Sequence, residues 1–141
     1  MIDLCTLGTG GTMPLPDRAL ASLYVRVGGR AVLVDCGEGT QIGIQRLSWG
    51  IQCIDAILLT HYHADHCSGL PGMLLAITKA GRTAPLHIYG PIGLERVVAG
   101  LRVIAPSLSC PIVLHEIIDD YSTFAAIGLT ITPFPLRHEM P

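Results

Sequence analysis

The chain lacks any uninterrupted apolar run of the roughly eighteen residues needed to cross a bilayer, although its mean hydropathy of +0.51 is high enough to raise the question. No basic region precedes an apolar core at Met1-Ile2-Asp3-Leu4, so no secretory leader is expected. Cations are few and dispersed: Arg18, Arg26, Arg30, Arg46, Lys79, Arg82, Arg96, Arg102 and Arg137 form no cluster, and the net charge is −2. The basic patch of an unaided nucleic-acid binder is therefore missing. There is no CxxC pair; the five cysteines (Cys5, Cys36, Cys53, Cys67, Cys110) are an odd number, as expected of free thiols in a reducing cytosol. Repeats, low-complexity tracts and charge runs are absent as well. These absences point to a soluble, cytoplasmic chain with no membrane partner.

What the chain does contain is apolar residues at 50%, with 16 glycines and 10 prolines, a composition for short buried elements joined by tight turns and not for disorder. At 141 residues one domain, 1–141, can bury about two-thirds of its unfolded surface. Residues 2–7 alternate as a first strand and end in Gly8-Thr9-Gly10-Gly11-Thr12. That turn has no phosphate-loop lysine, and Met13, Pro14 and Pro16 break the dinucleotide fingerprint, which leaves a tight turn or a close backbone approach to a ligand. A hairpin follows, 22–27 and 31–34 around Gly28-Gly29, then Asp35-Cys36-Gly37-Glu38-Gly39-Thr40 and a short helix closing near Trp49 and Gly50. Strands are expected at 56–59, 86–91, 111–117 and 129–134, with a turn at 119–122. Helices are expected at about 69–79 and from Pro91 to about 103, since proline suits a first helical position. His87 and His115 fall inside strands and are read as packing residues.

One stretch stands apart. Thr60-His61-Tyr62-His63-Ala64-Asp65-His66-Cys67 puts three histidines and a carboxylate within six positions, directly after an apolar strand. In an extended segment His61 and His63 point the same way, so two imidazoles can grip one ion. Asp65 and His66 lie where the chain turns towards a helix, aimed at a second point. Packing alone accounts poorly for so many polar groups, each costing about 1–3 kcal/mol if buried unpaired. The spacing suggests two neighbouring metal sites. His138, just past the last expected strand, would supply the third ligand of the first. Cys67 more naturally faces the helix, and Asp35 is either a turn residue or one that orients the metal loop or a ligating histidine from behind.

With these motifs the chain resembles the metallo-β-lactamase superfamily. Gly8-Thr9-Gly10, the 35–41 segment, Thr60-His61-x-His63-x-Asp65-His66 leading into Gly69-Leu70-Pro71-Gly72, and Ile88-Tyr89-Gly90-Pro91 narrow it to the ribonuclease Z branch, the tRNA 3′-processing endonucleases. The resemblance implies an α/β fold, the αββα sandwich, here mainly its first half. It implies two zinc ions, with manganese or iron as alternatives: one on His61, His63 and His138, the other on Asp65 and His66. It implies attack on a phosphodiester by a bridging hydroxide, with Asp65 orienting the water and accepting its proton. The substrate would be RNA, a tRNA precursor, and the complete protein a homodimer. The family's bridging aspartate and final histidine would lie beyond Pro141, unless Asp119 or Asp120 substitutes for the bridge. Pro16 and Ala19 stand where the family often has lysine and asparagine. Alternatives are a hydrolase of small esters, arylsulfatase-like or cyclic phosphodiesterase-like, and an inactive metal-binding half-domain needing a partner.

Overall fold

A computed structural model describes residues 1–119 and 121–138. Six strands form one sheet in sequential order: β1 (Ile2–Gly8), β2 (Ser22–Val27), β3 (Arg30–Val34), β4 (Ile54–Leu58), β5 (Leu86–Pro91) and β6 (Ile112–Ile117). The first three run antiparallel, and β3 to β6 are parallel. The connections follow from that change. Gly28-Gly29 closes the β2–β3 hairpin, while each parallel step returns through a helix: α1 (Thr40–Leu47), α3 (Leu70–Lys79) and α4 (Leu94–Arg102). A single turn, α2 (Ala64–Cys67), precedes α3, and a separate hairpin, β7 (Phe124–Ala126) with β8 (Leu129–Ile131), ends the fold.

Alternation along the strands sorts the side chains onto two faces. Tyr24, Leu33, Ile57, Ile88 and Leu114 are successive register partners across the sheet. They face α1, α3 and α4, burying Ile44, Leu70, Met73, Leu74, Ile77, Leu94 and Val98 in the main core. The opposite face runs through Leu4, Val25, Val32, Ala56 and His87. There the β7–β8 hairpin covers Val32 and Ala56 with Ile127 and Ala126, while Leu4 and Ile2 stay exposed. No helix among the described residues is long and apolar enough to cross a membrane.

Four local expectations change. Pro91 stays in the sheet instead of opening a helix, because β6 runs long enough to pair it with Ile117, and α4 starts at Leu94. The last strand stops at Ile131 and not 134, because its partner β7 is only three residues long; Ala125 and Ala126 gave that partner too weak a pattern to foresee. Asp65 and His66 sit on a helical turn of their own, α2, instead of ahead of a helix starting near 69. The glycine turn after β1 is a close approach of the chain to itself: a Cβ on Gly8 would lie 1.9 Å from the Leu20 carbonyl oxygen.

Candidate metal centre

The site forms where β3 and β4 end side by side. Parallel pairing extends one residue past β3, the Asp35 N–H donating to the Leu58 carbonyl at 2.7 Å. Asp35 then takes a left-handed backbone (φ 62°), a region in which aspartate is among the better tolerated residues, and its side chain turns under the metal loop. Two further bonds sew that loop down: Cys36 N–H to the His66 carbonyl (2.8 Å) and Gly69 N–H to the Cys36 carbonyl (2.9 Å). The backbones meet so closely that a Cβ on Gly69 would stand 2.1 Å from the Gly37 oxygen.

Asp35, buried and with only acceptor oxygens when ionised, organises the loop through three donors. It receives the Thr60 N–H (2.8 Å) and the Thr60 hydroxyl (3.0 Å), and its other oxygen lies 2.7 Å from His66 Nδ1. The Thr60 hydroxyl has one proton, which it donates in a hydrogen bond to the carboxylate. Its contact with His61 Nδ1 at 3.0 Å therefore has the ring nitrogen as donor. Asp35 thus fixes a proton on Nδ1 of both His61 and His66 and turns each Nε2 towards the site as the nitrogen that would ligate. Of the two readings that the sequence allowed for Asp35, the structure places it beneath the metal loop. Thr60, to which sequence reasoning gave no role, couples it to His61; its position directly before the first histidine was the only signal.

The ring nitrogens converge. His61 Nε2 is 3.2 Å from His63 Nδ1. The rings of His61 and His63 lie 4.3 and 4.7 Å from that of His138. One nitrogen from each of the three histidines falls within 4.8 Å of the other two. Burial, reinforced by the neighbouring His66 and His138 rings, holds His61 below the ordinary imidazole value, so it is neutral and ready to ligate near pH 7. Three imidazoles are a donor set suited to zinc. His138 arrives not from a strand end but on the irregular stretch that follows β8.

Asp65 and His66 stand together beside this trio, Oδ2 and Nε2 3.7 Å apart, and the His66 ring lies 4.1 Å from that of His61. The backbone N–H of Thr12, from the glycine turn, donates to Asp65 Oδ2 at 3.0 Å. That bond, against a contrary push from burial and helped by His66 and His63, keeps the Asp65 carboxyl below the usual range and ionised. Cys67 turns inward: its thiol donates to the His63 carbonyl at 3.3 Å, and burial raises its pKa. Asp119 lies exposed in the turn after β6 and joins no metal-binding group among the described residues; Asp120 lies outside those residues.

A mixed sheet with helices on one face gathers imidazoles and a carboxylate at its strand ends, and the chain belongs to the metallo-β-lactamase superfamily, whose family profile matches residues 16–137. Within it, the curated ribonuclease Z of Lachnoclostridium phytofermentans is 48% identical over 140 residues, 99% of this chain and 46% of that protein. Ribonuclease Z of Clostridium kluyveri is 49% identical, covering 100% of this chain and 47% of the relative. The chain thus spans about half the length of the curated relatives it matches. The crystal structure of human tRNase Z, short form, superimposes with a TM-score of 0.74 at 34% identity, over 84% of this chain and 46% of the human one.

Proposed function

We propose that this chain carries the metal-binding half of a ribonuclease Z-type phosphodiesterase that removes 3′ trailers from tRNA precursors. The observation that carries the reading is the convergence of His61, His63 and His138 beside Asp65 and His66, in a sequence about half identical to proteins named ribonuclease Z. One zinc would rest on His61, His63 and His138, a second on Asp65 and His66 with ligands from elsewhere. When bound, such ions polarise phosphoryl oxygens and lower the pKa of water.

The chain's own residues would do the rest. Asp35 and Thr60 hold the His61 and His66 rings with Nε2 aimed into the site. Thr12 holds Asp65 as a carboxylate, placed to orient the attacking water and accept its proton. The complete protein would be a homodimer with RNA as substrate.

The test is cleavage of a trailer-bearing tRNA precursor, with aryl sulfates and cyclic phosphodiesters alongside. Zinc-dependent RNA cleavage lost in Asp65→Ala, with zinc only partly lost, supports the proposal. Turnover of small esters without RNA cleavage favours the second reading, which the net charge of −2 and the residues Pro16 and Ala19 already invite. Zinc binding without any turnover favours a half-domain that needs a partner.

A further inference from the structure

Asp35 fixes two rings of the cluster, those of His61 and His66; among the described residues its hydrogen bonds do not extend to His63. His63 joins the trio from an extended backbone position (φ −62°, ψ 146°) at the head of α2. Where its nitrogens fall is therefore decided by the residues on either side of it. On the C-terminal side the α2 turn holds its carbonyl, which accepts the His66 N–H at 3.0 Å and the Cys67 thiol at 3.3 Å. On the N-terminal side stands Tyr62.

Alternation turns the Tyr62 side chain away from its two histidine neighbours, towards β5, which flanks β4 on the side opposite β3. Its ring packs against the main core, and its hydroxyl donates to the carbonyl of Pro91, the last residue of β5. The chain there has to be bare: a Cβ on Gly90 would stand 3.1 Å from the Tyr62 hydroxyl oxygen and 3.0 Å from Leu94 Cδ1. The acceptor is itself fixed. Pro91 pairs with Ile117 of β6, and the Gly93 N–H, two residues on, donates to Glu116 Oε1 at 2.8 Å. The metal loop is thus tied on both flanks, by Asp35 at the end of β3 and by Tyr62 at the end of β5.

We propose that Tyr62 is a positioning residue for the metal site: its hydroxyl bond to the Pro91 carbonyl fixes the backbone that carries His61 and His63, so that their nitrogens reach one ion. The inference rests on reading His61, His63 and His138 as a zinc site and is independent of the substrate. With the bond cut, the loop spends part of its time with the His63 ring turned off the ion, and the apparent affinity falls in proportion to the competent fraction.

Zinc affinity of the full chain, measured by competition with a chromogenic chelator, tests it. Tyr62→Phe keeps the ring and removes only the hydroxyl; it should bind zinc about 10-fold more weakly, the low end of the range for groups that orient metal ligands. Tyr24→Phe is the control. Its hydroxyl likewise donates to a backbone carbonyl, that of Gly50 at 2.9 Å, but in the loop that enters β4, whereas the metal loop leaves it. Tyr24→Phe should lower the urea midpoint of the metal-free chain and leave zinc affinity unchanged. Unchanged affinity in Tyr62→Phe overturns the proposal. An equal fall in Tyr24→Phe overturns it too, since affinity would then only follow stability. No zinc binding by the unaltered chain would instead remove the reading of the trio, and the proposal with it.

Discussion

At the scale of the residue, Asp35 shows how one carboxylate can prepare two ligands at once. Its oxygens are shared by Thr60 and His66, and through Thr60 it also governs His61. Asn at this position tolerates the left-handed backbone but presents an amide to His66 Nδ1 and carries no charge. Asp35→Asn should lower zinc affinity about 10–100-fold, the range expected when a ligating histidine loses the carboxylate that orients it, as measured by competition with a chromogenic chelator. Unaltered affinity would remove the tautomer argument. The histidines themselves were legible from spacing alone, because two residues apart in an extended segment is a local property. The role of Asp35 was not, since it depends on β3 and β4 pairing in parallel across more than twenty intervening residues. Thr12 escaped notice for a related reason: it acts through its backbone, which no side-chain pattern reveals.

At the scale of the element, Arg82 clamps the loop between α3 and β5. Its buried guanidinium donates to the carbonyls of Ala84 (2.9 Å), Gln52 (2.9 Å) and Pro85 (2.6 Å) and to Asp55 Oδ1 (2.9 Å). Truncating it leaves these buried carbonyls short of a donor, at about 1–3 kcal/mol, so Arg82→Ala should lower the urea midpoint by a corresponding amount, with Asp55 keeping Arg30 as its partner. Burial tends to raise the Asp55 carboxyl, but Arg30 and Arg82 outweigh it and hold the group below its ordinary value. Its contribution to stability is then complete above the unfolded aspartate pKa, about 3.9, and is lost as the pH falls through the folded value. Melting temperature against pH should show that acid-limb loss in the unaltered chain and less of it in Arg82→Ala. The strands, the β2–β3 hairpin and α3 were readable from alternation and turn chemistry. Pro91 and the short β7 were not, because partner length settled both.

At the scale of the whole molecule, the two sheet faces are unequal. Helices cover most of the first, burying it fully at β3 to β5, whereas the second is covered only where the small hairpin lies. Leu4 and Ile2 on β1 keep 64% and 56% of their surface exposed, on an edge strand that also offers free backbone groups. The chain should therefore self-associate as concentration rises, and Leu4→Glu should return it towards the monomer in sedimentation velocity. A concentration-independent monomer would show that this face is not adhesive. The superfamily and its α/β architecture were legible from motif order. The unequal cover of the faces was not, because exposure depends on what lies across the sheet.

His138 has one more consequence. An ion shared by His61, His63 and His138 would join two points of the chain between which lies roughly half its length, a ring whose closure removes conformational freedom from the unfolded ensemble. β5, α4, β6 and the β7–β8 hairpin all lie inside that ring. The ion would then be a clasp as well as a reagent, and the tail beyond β8 would owe its place to chemistry at the far end of β4 and not to any strand of its own.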